Sequence, residues 1–210
     1  LGSVRELIPR SMQITSESIK DQIPYYLSQK AKEHLAKALD QFPRQIDYYT
    51  NLYKEEFLQG DCWTSVDVLR FEDGAKKSIR ALLLSNSCDA APENKRDLPT
   101  KLSFASMVKL ERYVDLLKNA GLDQKQIEAK VVAIKEQRVT SLVYFPKGAA
   151  LEEDYVALLD DIHTVPSQAF IARNEKTKLF ALSNVGFYLF VLKLSVHFCR
   201  LHEEVVRDPA

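Results

Sequence analysis

The stretch Gly60-Asp61-Cys62-Trp63-Thr64-Ser65-Val66-Asp67-Val68-Leu69-Arg70-Phe71-Glu72-Asp73-Gly74 decides the fold class. Residues 62–71 alternate apolar with polar, the period of a half-buried strand, and Asp73-Gly74 is a strong hairpin signal. Ile79 to Leu84 follows as a nearly continuous apolar run, as expected for a strand covered on both faces. The pairing is local, so the sheet it starts is antiparallel. Gly60 also closes what precedes it. From Ser16 to Leu58, Ile23, Leu27, Ala31, Leu35, Ala38, Phe42, Ile46 and Tyr49 recur at three- and four-residue steps, the stripe of an amphipathic helix. Ser18 with Asp21 resembles a capping box, and Pro43 breaks the helical stretch into two helices.

Downstream, Leu102 to Ala105 predicts a short strand, and Met107 to Gln137 returns to the helical period. There Gly121 ends one helix and Asp123 caps the next. Val139 to Phe145, Tyr155 to Ile162 and Leu179 to Leu182 predict further strands, and Ser183 reads as the N-cap of a closing helix. That helix is apolar on two faces, so it is expected to lie between the sheet and the N-terminal helices. The expected class is α+β with a helical majority. It comprises a small antiparallel barrel or sheet, N-terminal helices, a helical insertion at 107–137 and a closing helix at 184–206. An N-terminal helical segment at 1–58 precedes the barrel-like domain at 59–210.

Composition bounds the function. The chain has 210 residues, with 29 Lys+Arg balancing 29 Asp+Glu, which excludes a strongly basic nucleic-acid coat. Three widely spaced cysteines read as reduced thiols and a cytoplasmic setting. The longest apolar run, Val185 to Leu192, is too short to span a membrane. Six glycines, with neither GxGxxG nor GxxxxGK[ST], leave no phosphate-cradling loop. His197, Cys199 and His202 cannot converge on a metal, because on a helix 197 and 199 point about 200° apart. No metal or cofactor is expected.

The candidate chemistry sits at the end of the Ile79–Leu84 run. Ser85, Asn86, Cys88 and Asp89 gather hydroxyl, amide, thiol and carboxylate groups where a strand passes into a loop, a common place for functional side chains. Asp89 suits a general base. Cys88 suits a nucleophile if His163 reaches it, which would make a thiol-dependent hydrolase. The competing reading is structural: Asn86 and Asp89 make side-chain turns and Cys88 fills space. Lys76, Lys77, Arg80, Lys95, Arg96 and Lys101 form a modest basic set that would attract phosphate if they met at one mouth of a barrel.

The residues from Gly60-Asp61-Cys62-Trp63 through the hairpin to Ile79-Arg80-Ala81-Leu82-Leu83-Leu84-Ser85-Asn86 resemble the opening of the MazF/PemK family of toxin ribonucleases. The resemblance implies an SH3-like barrel, often dimeric, that cuts single-stranded RNA without a metal. It implies that Arg80 stands where the family has its phosphate-contacting arginine. The catalytic threonine falls at Ala105–Ser106, which makes Ser106 the catalytic hydroxyl, with Asp89 positioning one of the two. Ala81 replaces the family's proline, and the helical insertion and long N-terminus have no counterpart in the small toxins. The sequence therefore points first to an enlarged bacterial relative that binds a protein partner or itself and has lost toxin chemistry. A metal-independent endoribonuclease or RNA-binding protein is the alternative.

Overall fold

A computed structural model describes residues 46–199, apart from 71, 72, 95 and 96, together with residue 37. Seven strands and five helices follow in the order β1 (Tyr49–Thr50), β2 (Cys62–Leu69), β3 (Lys76–Leu83), α1 (Ser87–Ala90), β4 (Lys101–Lys109), α2 (Leu110–Asn119), α3 (Gln124–Lys135), β5 (Leu142–Phe145), β6 (Tyr155–Pro166), α4 (Ser167–Ile171), β7 (Lys178–Leu182) and α5 (Asn184–Cys199). The strands form one sheet in the order β1-β7-β2-β3-β4-β6-β5. Every neighbouring pair is antiparallel. The end strands β1 and β5 do not pair with each other, so of the two expected forms, barrel or sheet, the described strands make an open sheet.

The hairpin stands where Asp73-Gly74 places it. Gly74 takes φ +66°, and the backbone N–H groups of Arg70 and Gly74 bond to the carbonyls of Ala75 and Arg70. An extra residue interrupts β2, since Trp63 lies opposite Ala81 whereas Val66 lies opposite Ile79. This bulge, with Ser65 at φ +57°, puts Trp63, Val66 and Val68 into one apolar cluster, which strict alternation would forbid. A larger bulge in β6 lets Ala105 face Ile162 while Ser106 faces Leu158.

Three clusters cover the sheet. One face carries Cys62, Leu82, Ala105, Phe145, Ala157 and Phe180 beneath Val185, Leu189, Phe190 and Leu192 of α5. Each fully buried α5 side chain contributes about 1.5–3 kcal/mol. Ser183 Oγ accepts from the Gly186 N–H at 3.1 Å, so Ser183 does cap α5. Gly186 is needed there for another reason: a Cβ would collide with the backbone carbonyl of Tyr48. Elsewhere, Trp63, Ala81, Leu83, Phe104, Val165 and Phe170 pack together with α4, and Leu110, Ile134, Leu142, Tyr144 and Val156 pack with α2 and α3.

Several sequence expectations shift. Met107 and Val108 belong to a nine-residue β4 rather than to a helix, because β6 pairs along its whole length. The insertion resolves into α2 and α3, with Gly121 at φ +86° ending the first and an Asp123–Gln126 capping box opening the second. Residues 46–58, expected at the end of a helix, are irregular apart from β1, which is drawn into the sheet by β7. Strand and helix are near parity among the described residues, and the N-terminal helices that the expected helical majority counts lie outside them. The N-terminal helical stripe before residue 46, Lys95–Arg96 and the closing helix beyond Cys199 lie outside the described residues.

Candidate functional site

Between β1 and β2 the chain makes an irregular wall, residues 51–58, that faces the start of β7. One side chain braces the wall from β7. Lys178 Nζ, on β7, is 2.6 Å from Asp61 Oδ2 and donates to the backbone carbonyls of Tyr53, at 2.6 Å, and Glu56. It also lies 5.1 Å from the Trp63 ring centroid. Asp61 Oδ2 takes a further hydrogen bond from the Leu58 N–H at 2.9 Å. Burial pushes the Asp61 carboxyl above the usual carboxylate range, and the bonds from Lys178 and Leu58 oppose that push.

Between this wall and β7 runs a groove of about 760 Å³, lined among others by Leu52, Lys54, Phe57, Trp63, Lys176 and Phe180. That volume lies in the range of ordinary ligand sites, ~300–1,000 Å³. Phe57 stacks on Trp63 with centroids 4.9 Å apart, and Phe170 meets Trp63 edge-on at 5.7 Å. Lys176 Nζ lies 5.8 Å from the Phe57 centroid and donates to the carbonyls of Ile171 and Arg173 at 2.6 and 2.7 Å, closing the end of α4. Arg173 ties the same turn to β2 through Asp67. Tyr53, at φ +61°, is a backbone outlier within the wall, a conformation that surrounding contacts must enforce.

Two buried polar atoms beside the groove, Asp61 Oδ1 and Trp63 Nε1, have no hydrogen-bond partner among the described residues. Such orphans are uncommon in folded proteins and concentrate where function overrides packing. The groove combines cations already fixed by carbonyls with aromatic surface, an arrangement suited to holding a ligand.

The residues singled out from the sequence are distributed differently. Arg80 is exposed on β3, its guanidinium donating to Tyr155 Oη and lying 5.4 Å from that ring's centroid. Ser106 is buried on β4 and is the register partner of Ala81. Register partners share a face and successive residues alternate. Ser106 therefore leaves the sheet on the face of Ala81, and Arg80 leaves on the other.

Asp89 and Cys88 are exposed in the short α1. Asn86 caps α1 by accepting from the Cys88 N–H at 2.8 Å, and Ser85 Oγ accepts from the Ser103 N–H at 2.8 Å. Gln59 N–H donates to Ser87 Oγ at 2.9 Å, and its side chain donates to the Leu84 carbonyl at 2.7 Å. The strand end thus anchors the foot of the groove wall. The His163 ring is engaged by Asp161, with Nε2 3.1 Å from Oδ1.

The described members of the basic set do not all meet at one end of the sheet. Leu83 pairs with Phe104, so Lys101 lies beyond the C-terminal end of β3. Lys76 opens that eight-residue strand, about 33 Å from Lys101 along the strand direction at ~3.3 Å per residue.

Sequence reading missed Lys178, Lys176 and Phe57. Asp61 was legible as the end of a segment, but nothing in the chain announces a lysine on β7 as its partner. Comparison with models of known protein families gives no match, and comparison with curated proteins gives none either.

Proposed function

We propose that the protein is a bacterial, cytoplasmic interaction module that binds a partner protein in the groove between residues 51–58 and β7. On this reading its β2–β3–β4–β6 core is an opened relative of the MazF/PemK barrel that has lost toxin chemistry. One observation carries the reading: Arg80 and Ser106 project from opposite faces of the sheet. Metal-free RNA cleavage needs a base for the 2′-hydroxyl and a cation at the same phosphate, which requires the two to converge. The groove supplies what binding needs instead. Lys54 and Lys176 beside Phe57, Trp63 and Phe180 favour a segment with acidic and apolar side chains.

RNA binding is the second reading, favoured by the exposed Arg80 guanidinium held against Tyr155 and by Lys109, the register partner of Tyr155. A gel shift of mixed single-stranded RNA, lost in Arg80→Ala, would favour this second reading, and incubation of the same RNA in EDTA beside Arg80→Ala tests for cleavage. Intact RNA in both lanes is expected. Cleavage by the wild type that disappears in Arg80→Ala would overturn the interaction reading and restore the ribonuclease.

A further inference from the structure

Lys193 has no role in the groove and is 1% exposed, inside the seat of α5. Its Nζ donates to the backbone carbonyls of Gln137 and Val139 at 2.8 and 2.5 Å. These are its hydrogen-bond partners among the described residues, and it forms no ion pair with any of them. The donor count is informative. An ammonium carries three N–H donors and a neutral amine carries two, so the two carbonyls take both donors of the amine but leave one ammonium donor and a full charge buried.

The turn that Lys193 grips is itself a clamp. Gln137, at φ +58° and 2% exposed, pairs its side-chain amide both ways with the Tyr144 backbone: Nε2 donates to the carbonyl at 2.7 Å and Oε1 accepts from the N–H at 3.1 Å. Gln137 Nε2 also donates to Tyr48 Oη at 3.1 Å. The side chain thereby takes the place of a further strand on β5, and Lys193 fastens α5 to it.

We propose that Lys193 makes the seating of α5 on the sheet a proton-controlled contact, closed when the amine is neutral and loosened when it is protonated. Loosening uncovers the apolar face that Leu189, Phe190 and Leu192 now bury. Burial without a counter-charge pushes the Lys193 amine down to about 7, which places the transition near neutrality. Several ionisable groups lie on the packed elements. Tyr48 and Tyr144 flank Gln137, and Arg138 and Glu136 pair with each other beside the turn. Tyr144 also faces Asp154 and Lys135, and His197 follows on α5 itself. Burial raises both tyrosines, which keeps them neutral through this range, so His197 is the group to control for.

The test is hydrogen exchange of α5 amides in the whole protein from pH 9 to pH 6, corrected for intrinsic rates. The opening constant is expected to rise about tenfold per pH unit down to pH 7.5 and to level off below about 7. Lys193→Gln, which keeps two N–H donors without a titrating charge, is expected to remove that dependence while staying folded. His197→Gln is expected to retain it. An opening constant flat with pH in the wild type overturns the proposal. So does a slope that survives Lys193→Gln or vanishes in His197→Gln.

Discussion

Two lysines withdrawn from water hold two different parts of this molecule, and they do so by different chemistry. Lys178 meets three acceptors, one of them the Asp61 carboxylate, and its ammonium is matched donor for acceptor. Lys193 meets two neutral carbonyls and no carboxylate among the described residues. The first arrangement gives the withdrawn ammonium a carboxylate as counter-charge. The second fixes a helix only as firmly as its protonation allows. Counting donors against acceptors, rather than burial, is what separates a permanent strut from a titratable one.

The comparison breaks most visibly at Lys178. Lys178→Met leaves the Asp61 carboxylate buried without its partner, and urea denaturation is expected to show a loss of about 3–5 kcal/mol. Lys193→Met is expected to cost less. It strands two carbonyls at roughly 1–3 kcal/mol each, but it also removes a buried charge.

The sign of its pH dependence follows from the direction of the shift. The folded-state value, about 7, lies below the ordinary 10.5 of an unfolded lysine, so the unfolded chain binds more protons between those values. Wild-type stability therefore falls as pH is lowered from 10.5 towards 7, by about 1.4 kcal/mol per unit, and is flat in this respect below 7. Lys193→Met loses that slope, read from urea midpoints at pH 7.5 and 9.5.

Gly186→Ala disturbs α5 from its other end, by pushing the Tyr48 backbone away, and touches neither lysine. A loss of about 1–3 kcal/mol is expected with the pH slope unchanged. Asn86→Ala removes the cap of α1 at the foot of the wall, for about 1 kcal/mol. Arg80→Ala, on an exposed strand position, is expected to stay within ~0.5 kcal/mol of wild type in thermal or urea melts.

Much of the scaffold was legible where local chemistry dictates it. Asp73-Gly74 made its hairpin, Gly121 and Asp123 separated α2 from α3, and Ser183 opened α5. The sequence failed where tertiary pairing overrides period. Met107 and Val108 carry helical spacing but continue β4, because β6 offers a complete ladder. Tyr49 sits on a helical stripe but enters the sheet beside β7. In the strand-end cluster at 85–89, Asn86 and Ser85 accept from backbone donors, as the structural reading of such a turn expects of Asn86. The groove was not legible at all, because Asp61, just before β2, and Lys178, on β7, are far apart in the chain and their partnership is created by folding.

The most direct measurement of the central claim is photocrosslinking in cells. It uses a reactive side chain placed at Leu52, 64% exposed on the groove, and in parallel at Leu116, 53% exposed on α2. The account predicts a discrete protein adduct from position 52 that is absent from position 116 and weakened by Lys54→Glu. Equal adducts from both positions, or none from position 52, would contradict it.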